Sequence, residues 1–185
     1  MGDLYVVLIH APVYNKNKEI VATSITNLDI HDIARCSATY RVKGYYLVHP
    51  AKAQRELAQR IMGFWQEGFG AEYNPDRQEA FSLVHLAATL PEVLADIKLE
   101  QGMNPLCVVT DARRQDNSIS YTAMRQRLEN ENTPFLLLFG TGWGILQEDV
   151  EKADLILEPV YGPGAYNHLS VRSAAAIILD RLRGH

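Results

Sequence analysis

The chain is poor in cysteine: Cys36 and Cys107 are its two thiols, far apart and in no CxxC pair. That excludes a disulfide-stapled scaffold and a cysteine-built zinc site. Two buried free thiols in apolar or helical stretches fit a reducing, cytoplasmic setting. A basic surplus is also missing, since 18 Lys and Arg stand against 22 Asp and Glu for a net charge of -4. A protein that holds polyanions by overall charge is thereby excluded, and any nucleic-acid contact must come from local patches or from two chains together. No apolar run approaches the ~18 residues of a membrane span, and no leader precedes the first strand-like run, so no membrane partner is expected. His10, His49, His85, His168 and His185 fall in no metal-ligand spacing, and no HExxH is present, so no metal is expected. No Walker lysine follows the glycines, and Ser170 lies in no GxSxG elbow, which argues against P-loop and serine-hydrolase chemistry.

What is present is ordinary globular material: 185 residues, 47% apolar and 22% charged. The length suits one domain over residues 1–185. Strand-like and helix-like runs alternate along it. Leu4 to Ile9, Gly44 to His49, Ala80 to His85, Pro105 to Val109, Phe135 to Phe139 and Asp154 to Leu157 read as about six strands. A polar loop around Asn15 to Lys18 follows the first of them. Helices are predicted from a capping-box-like Thr26 to Ala38, over 52–67, and from Pro91 to Gln101. Two more are predicted from Ser120 to Asn130 and from Asn167 to Leu182. The alternation predicts an α/β fold with a mainly parallel sheet flanked by helices.

Ligands of such sheets sit beyond the carboxyl ends of the strands, so the post-strand loops hold the candidate sites. Gly140, Gly142 and Gly144 follow the strand at Phe135 and can expose backbone N–H groups to a ligand. A dinucleotide-type reading, with Glu158 as the later acid, is weakened because such loops normally open the first strand–helix unit. Glu158 to Asn167 forms a second loop fixed by two prolines and two glycines, with Tyr161 and Tyr166 able to wall a ring. Asn167 or Ser170 can cap the last helix. Asn27, His31 and Arg35 share one face of the first helix at four-residue spacing, opposite Ile30, Ile33 and Ala34. Asp32 stands three residues from Arg35, within pairing range.

Taken in order, these segments resemble the motifs of the SPOUT methyltransferases. The segments are Thr26 to Arg35 followed by Gly44 to Val48, then Leu136 to Gly144, Ala153 to Pro159 and Asn167 to Ile177. The chain is most similar to the small bacterial branch of S-adenosylmethionine-dependent RNA methyltransferases that lacks an appended RNA-binding domain. The resemblance implies a C-terminal deep trefoil knot, an exception to the general rule of unknotted topology. It implies S-adenosylmethionine held bent in the knot loops, and a homodimer with the active site at its interface. It implies a cytoplasmic enzyme acting on tRNA or rRNA, at a ribose 2′-OH or a base nitrogen. Carried over, Leu138, Gly140, Thr141, Gly142 and Gly144 form the first cofactor loop, and Leu157, Pro159 and Tyr161 the second. Leu169, Ser170 and Val171 form the third. Arg35 matches the catalytic arginine with Asn27 beside it, and His31 is the more conventional proton acceptor at neutral pH. Thr141 to Trp143 stands where many relatives carry a Glu, and His168 to Ser170 where ribose-methylating relatives carry Ser-Leu-Asn. The alternative is a non-catalytic nucleotide- or cofactor-binding module with a knotted or Rossmann-like fold.

Overall fold

The computed structural model describes residues 2–184, so His185 lies outside the described residues. Its elements begin with β1 (Leu4–Ile9), β2 (Val13–Tyr14), β3 (Ile20–Val21), α1 (Asn27–Thr39) and β4 (Gly44–Val48). Then come α2 (Lys52–Gln66), α3 (Gly68–Tyr73), α4 (Pro75–Phe81), β5 (Val84–Ala87), α5 (Leu90–Gln101) and β6 (Leu106–Thr110). The chain continues through β7 (Ser118–Ile119), α6 (Tyr121–Asn130), β8 (Phe135–Gly140), α7 (Gln147–Lys152), β9 (Leu155–Leu157) and α8 (Val171–Arg183).

Seven strands form one parallel sheet in the order β5-β4-β1-β8-β6-β9-β7. Strand β1 lies fully buried inside it, which is why Leu4 to Ile9 is apolar throughout rather than alternating. Its side chains still divide by parity. Leu4, Val6 and Leu8 join the core under α1, α2, α4, α6 and α8. Tyr5, Val7 and Ile9 join the core under α5 and α7.

Several elements differ from the sequence-based expectation. The sheet has seven strands rather than about six, because the two-residue β7 adds an edge too short to show a pattern. The strand expected from Ala80 starts at Val84; Ala80 and Phe81 instead end α4, which Asn74 caps and Pro75 opens. The last helix begins at Val171 rather than Asn167, with Ser170 capping it by accepting from the Ser173 N–H. The predicted polar loop after β1 holds a hairpin, β2 paired antiparallel with β3. Helix α3 and helix α7, each six residues long, are too short for a visible period.

Candidate cofactor edge and acceptor groove

The carboxyl ends of β1 and β8 lie side by side, with Ile9 in register with Gly140. Strand order reverses at β1, since β4 lies on one side and the later β8 on the other. The glycine loop leaves the sheet at this point. Thr141 donates its N–H to the Ile9 carbonyl at 3.1 Å, and its hydroxyl meets that of Thr23 at 2.5 Å. Thr23 in turn meets Nδ1 of His10 at 3.2 Å. His10 is fully buried, and burial lowers its pKa to about 4, so the ring is neutral at physiological pH.

The hairpin holds the other side of the loop. Tyr14 donates to the Gly144 carbonyl at 2.9 Å and accepts from the Trp143 N–H at 2.8 Å. Gly142 has φ +61, and a Cβ there would lie 2.7 Å from the Tyr14 carbonyl oxygen. Gly140 is required by packing too, because a Cβ would meet the Ile145 nitrogen at 2.7 Å. Gly144, at φ +102, opens onto free space. Two of the three glycines therefore build the loop, and one leaves room beside it.

The loop after β9 is tied at both ends. The Glu158 carboxylate accepts from the Tyr121 N–H at 2.8 Å, and the Asn167 amide donates to the Ala112 carbonyl at 2.6 Å. Among the described residues, no main-chain group between Val160 and Tyr166 forms a main-chain hydrogen bond, and Gly162 and Gly164 have no neighbour where a Cβ would stand. An ordered loop with unspent N–H and C=O groups can receive a ligand rich in hydrogen-bonding groups.

The residues expected at the cofactor divide by exposure. Leu138, Leu157 and Pro159 are buried, and the Thr141 hydroxyl is turned inward, so these can offer only main chain. Tyr161, Leu169 and Ser170 are exposed, and Val171 is half-buried at the first turn of α8.

Helix α8 packs against α1, and the two frame an open groove of about 540 Å3. Arg35 and Asp32 enter it from α1, Ser170 and Ser173 from α8. Arg172 fixes this contact: its guanidinium reaches the buried Asp29 at 2.8 Å and Asp32 at 3.4 Å. Asp29 also accepts from the Thr26 hydroxyl at 2.5 Å, which joins the cap of α1 to the start of α8. Asp32 thus pairs across helices rather than with Arg35, which forms no ion pair among the described residues.

The three candidates on α1 separate. Arg35 lines the groove, and Asn27 is exposed at the first position of the helix. His31 turns the other way, its ring edge-on to Phe81 at 4.7 Å and to Trp65 at 5.4 Å. Burial and the nearby Arg77 lower its pKa. Arg172 and His10 brace the groove and the glycine loop, and pattern reading passed over both. Arg172 lies within the last motif segment, next to Val171, and His10 directly follows the first strand, which is the signal each offered.

A family model described as SAM-dependent RNA methyltransferase matches residues 3–184. A protein of Aquifex aeolicus, named only as uncharacterized, is 45% identical over 180 residues, covering 97% of this chain and 88% of its own length. A tRNA (guanine-N(1)-)-methyltransferase of Oleidesulfovibrio alaskensis is 43% identical over 182 residues, covering 98% of this chain. The chain spans only 42% of that longer relative. The crystal structure of the SpoU methyltransferase AviRb from Streptomyces viridochromogenes, in complex with the cofactor AdoMet, superposes with a TM-score of 0.60 at 16% identity. That likeness covers 97% of this chain and 56% of the other. It is a likeness of fold.

Proposed function

The chain belongs to the S-adenosylmethionine-dependent RNA methyltransferase family, and on that premise we propose where its own residues hold cofactor and acceptor. S-adenosylmethionine supplies a methyl group already activated on sulfur, so transfer is an in-line displacement that needs position and removal of one proton. The three loops at the carboxyl edge suit such a ligand. Main chain at Leu138, Gly140, Thr141, Gly142, Gly144, Leu157 and Pro159 would meet its polar groups. Tyr161 and Leu169 would wall it with exposed apolar surface, and Ser170 and Val171 would close it from the start of α8.

The observation that carries the reading is the shared groove: Arg35 and the Ser170 end of the third loop line one recess. Arg35 there orients the acceptor through a phosphate, the role a permanently charged, planar guanidinium suits better than proton removal. Asn27 flanks it as a polar contact at the helix start. His31 faces the aromatic side of α1, which argues against its service as the base. Cys36 is held protonated by burial and Tyr40 by its bond to Asp180, so neither accepts the proton at neutral pH. A second copy of the chain, apposed on the α1–α8 groove, completes the site in a homodimer. The C-terminal segment forms a trefoil knot around the cofactor loops, and the enzyme works in the cytoplasm on tRNA or rRNA. The guanine-N1 target named for the longer relative belongs to a protein more than twice this length, so ribose and base nitrogen both stay open.

The test pairs calorimetry with tritiated methyl transfer to total RNA from a strain lacking the protein, followed by nucleoside mapping. Cofactor binding with transfer to one nucleotide is expected. Binding without transfer would leave a cofactor-binding module, and absence of binding would remove the reading.

A further inference from the structure

The segment from α2 to α4 carries an aromatic surface that the reaction leaves unused. Phe64 is 55% exposed, Phe69 72% and Tyr73 73%. The rings of Phe69 and Tyr73 stack at 5.8 Å with 19° between their planes. Phe64 stands edge-on to Trp65 at 5.0 Å, and the Arg77 guanidinium lies over the Trp65 face at 4.4 Å. Nε of Arg77 is buried and has no hydrogen-bond partner among the described residues. Gly70 packs α3 onto the end of α2, with its Cβ position 3.1 Å from the Phe64 ring, so Phe69 and Phe64 belong to one surface. Water-exposed rings in such number mark a surface that something covers.

This surface adjoins the acceptor groove across α1. His31 touches Trp65 and Phe81 on one side of α1, and one turn further on Arg35 lines the groove. Residues 52–81 hold four cations (Lys52, Arg55, Arg60, Arg77) against five acids (Glu56, Glu67, Glu72, Asp76, Glu79). Charge does not draw a polyanion here, but stacking can. Unpaired bases all present a π-face, and exposed aromatics beside an arginine are the usual platform for them. The second copy proposed above sits on the α1–α8 groove and leaves this surface uncovered.

We propose that this surface is where unpaired bases flanking the target nucleotide stack, with Phe69, Tyr73 and Phe64 as the platform. The proposal rests on the RNA-methyltransferase reading above and names the part of the surface that reads the substrate. It also explains how a chain without a basic surplus holds RNA: few phosphates are neutralised, and ring contacts supply the rest.

A short fluorescein-labelled oligoadenylate RNA tests it by anisotropy, with the double variant Phe69→Ala/Tyr73→Ala. Both side chains are largely exposed, so the fold is kept. Affinity is expected to fall about tenfold per ring, the size of base-stacking losses on alanine substitution. The slope of affinity against salt should stay as in the wild type, because no phosphate contact is removed. Phe69→Trp should retain affinity. S-adenosylmethionine affinity, read by calorimetry, should not change. Unchanged RNA affinity in the double variant, or no binding of the probe by wild type, overturns the proposal while leaving the methyltransferase reading intact. A shift in oligomeric state on gel filtration, with RNA affinity lost only through it, also overturns it and assigns the surface to a protein partner. Failure of the wild type to bind S-adenosylmethionine strikes the functional reading instead.

Discussion

Up to β5 the chain lays its sheet in the order it is written, β1 beside β4 beside β5. After β5 that order breaks. Strand β8 enters between β1 and β6, and β9 enters between β6 and β7. The difference decides where chemistry can be placed. A strand added at an edge brings its loop to an edge. A strand inserted between earlier neighbours has its following loop held by segments far off in sequence. The loop after β8 is gripped by Tyr14, Thr23 and Ile9, and the loop after β9 by Tyr121 and Ala112. The early half supplies the framework and, on α1, one wall of the groove; the late half supplies the loops proposed for the cofactor.

That contrast is broken most severely by emptying one core position in each half. Phe139→Ala and Phe81→Ala each remove a buried ring and should cost about 3–5 kcal/mol in urea unfolding. Only Phe139→Ala, one residue before the glycine loop, should also weaken S-adenosylmethionine binding by calorimetry. Equal weakening by Phe81→Ala would erase the distinction.

The seam between the halves has a pH signature. The buried His10 ring titrates at about 4 in the fold against about 6.5 when unfolded. Between those values the unfolded chain binds the extra proton, so stability rises with pH from 4 to 6.5 and is lost as pH falls through that window. The span is worth about 3 kcal/mol. His31 and His49 are lowered as well, so the measurement compares wild type with His10→Gln. The variant should lose most of the slope in pH-dependent urea unfolding.

Arg172→Ala leaves the buried Asp29 carboxylate without its cation. Because Arg172 is about one-third exposed, water offsets part of the loss, and about 2 kcal/mol is expected rather than the full cost of a broken buried pair. Methyl transfer should fall further than stability alone accounts for, since the start of α8 loses its place beside Arg35. Ser170→Ala removes one cap and should cost about 1 kcal/mol, read as a small loss in thermal unfolding. Thr26→Ala should exceed it, because that hydroxyl also donates to Asp29.

Single elements were legible in both halves. Strands β1 and β4 are continuous apolar runs, and the caps Thr26 and Ser120 mark the starts of α1 and α6. In the late half, β8 and its glycine loop were equally plain, but strand order has no local signal. Nothing in Phe135 to Gly140 says that it lies between β1 and β6. The candidate cofactor loops were picked out through motif order, and their grip was not. Tyr14 and Thr23 meet Gly142 and Thr141 across more than a hundred residues, and only the tertiary fold brings them together. The face of α1 was half legible: its four-residue spacing grouped Asn27, His31 and Arg35. The aromatic ring cluster that draws His31 away comes from α2 and α4.

The groove joining the two halves is tested most directly by one variant. Arg35→Ala removes an exposed guanidinium that forms no ion pair among the described residues, so the fold and the cofactor loops are untouched. S-adenosylmethionine affinity at the wild-type value, with tritiated methyl transfer to RNA lost, is the expected result. Transfer at the wild-type rate would contradict it.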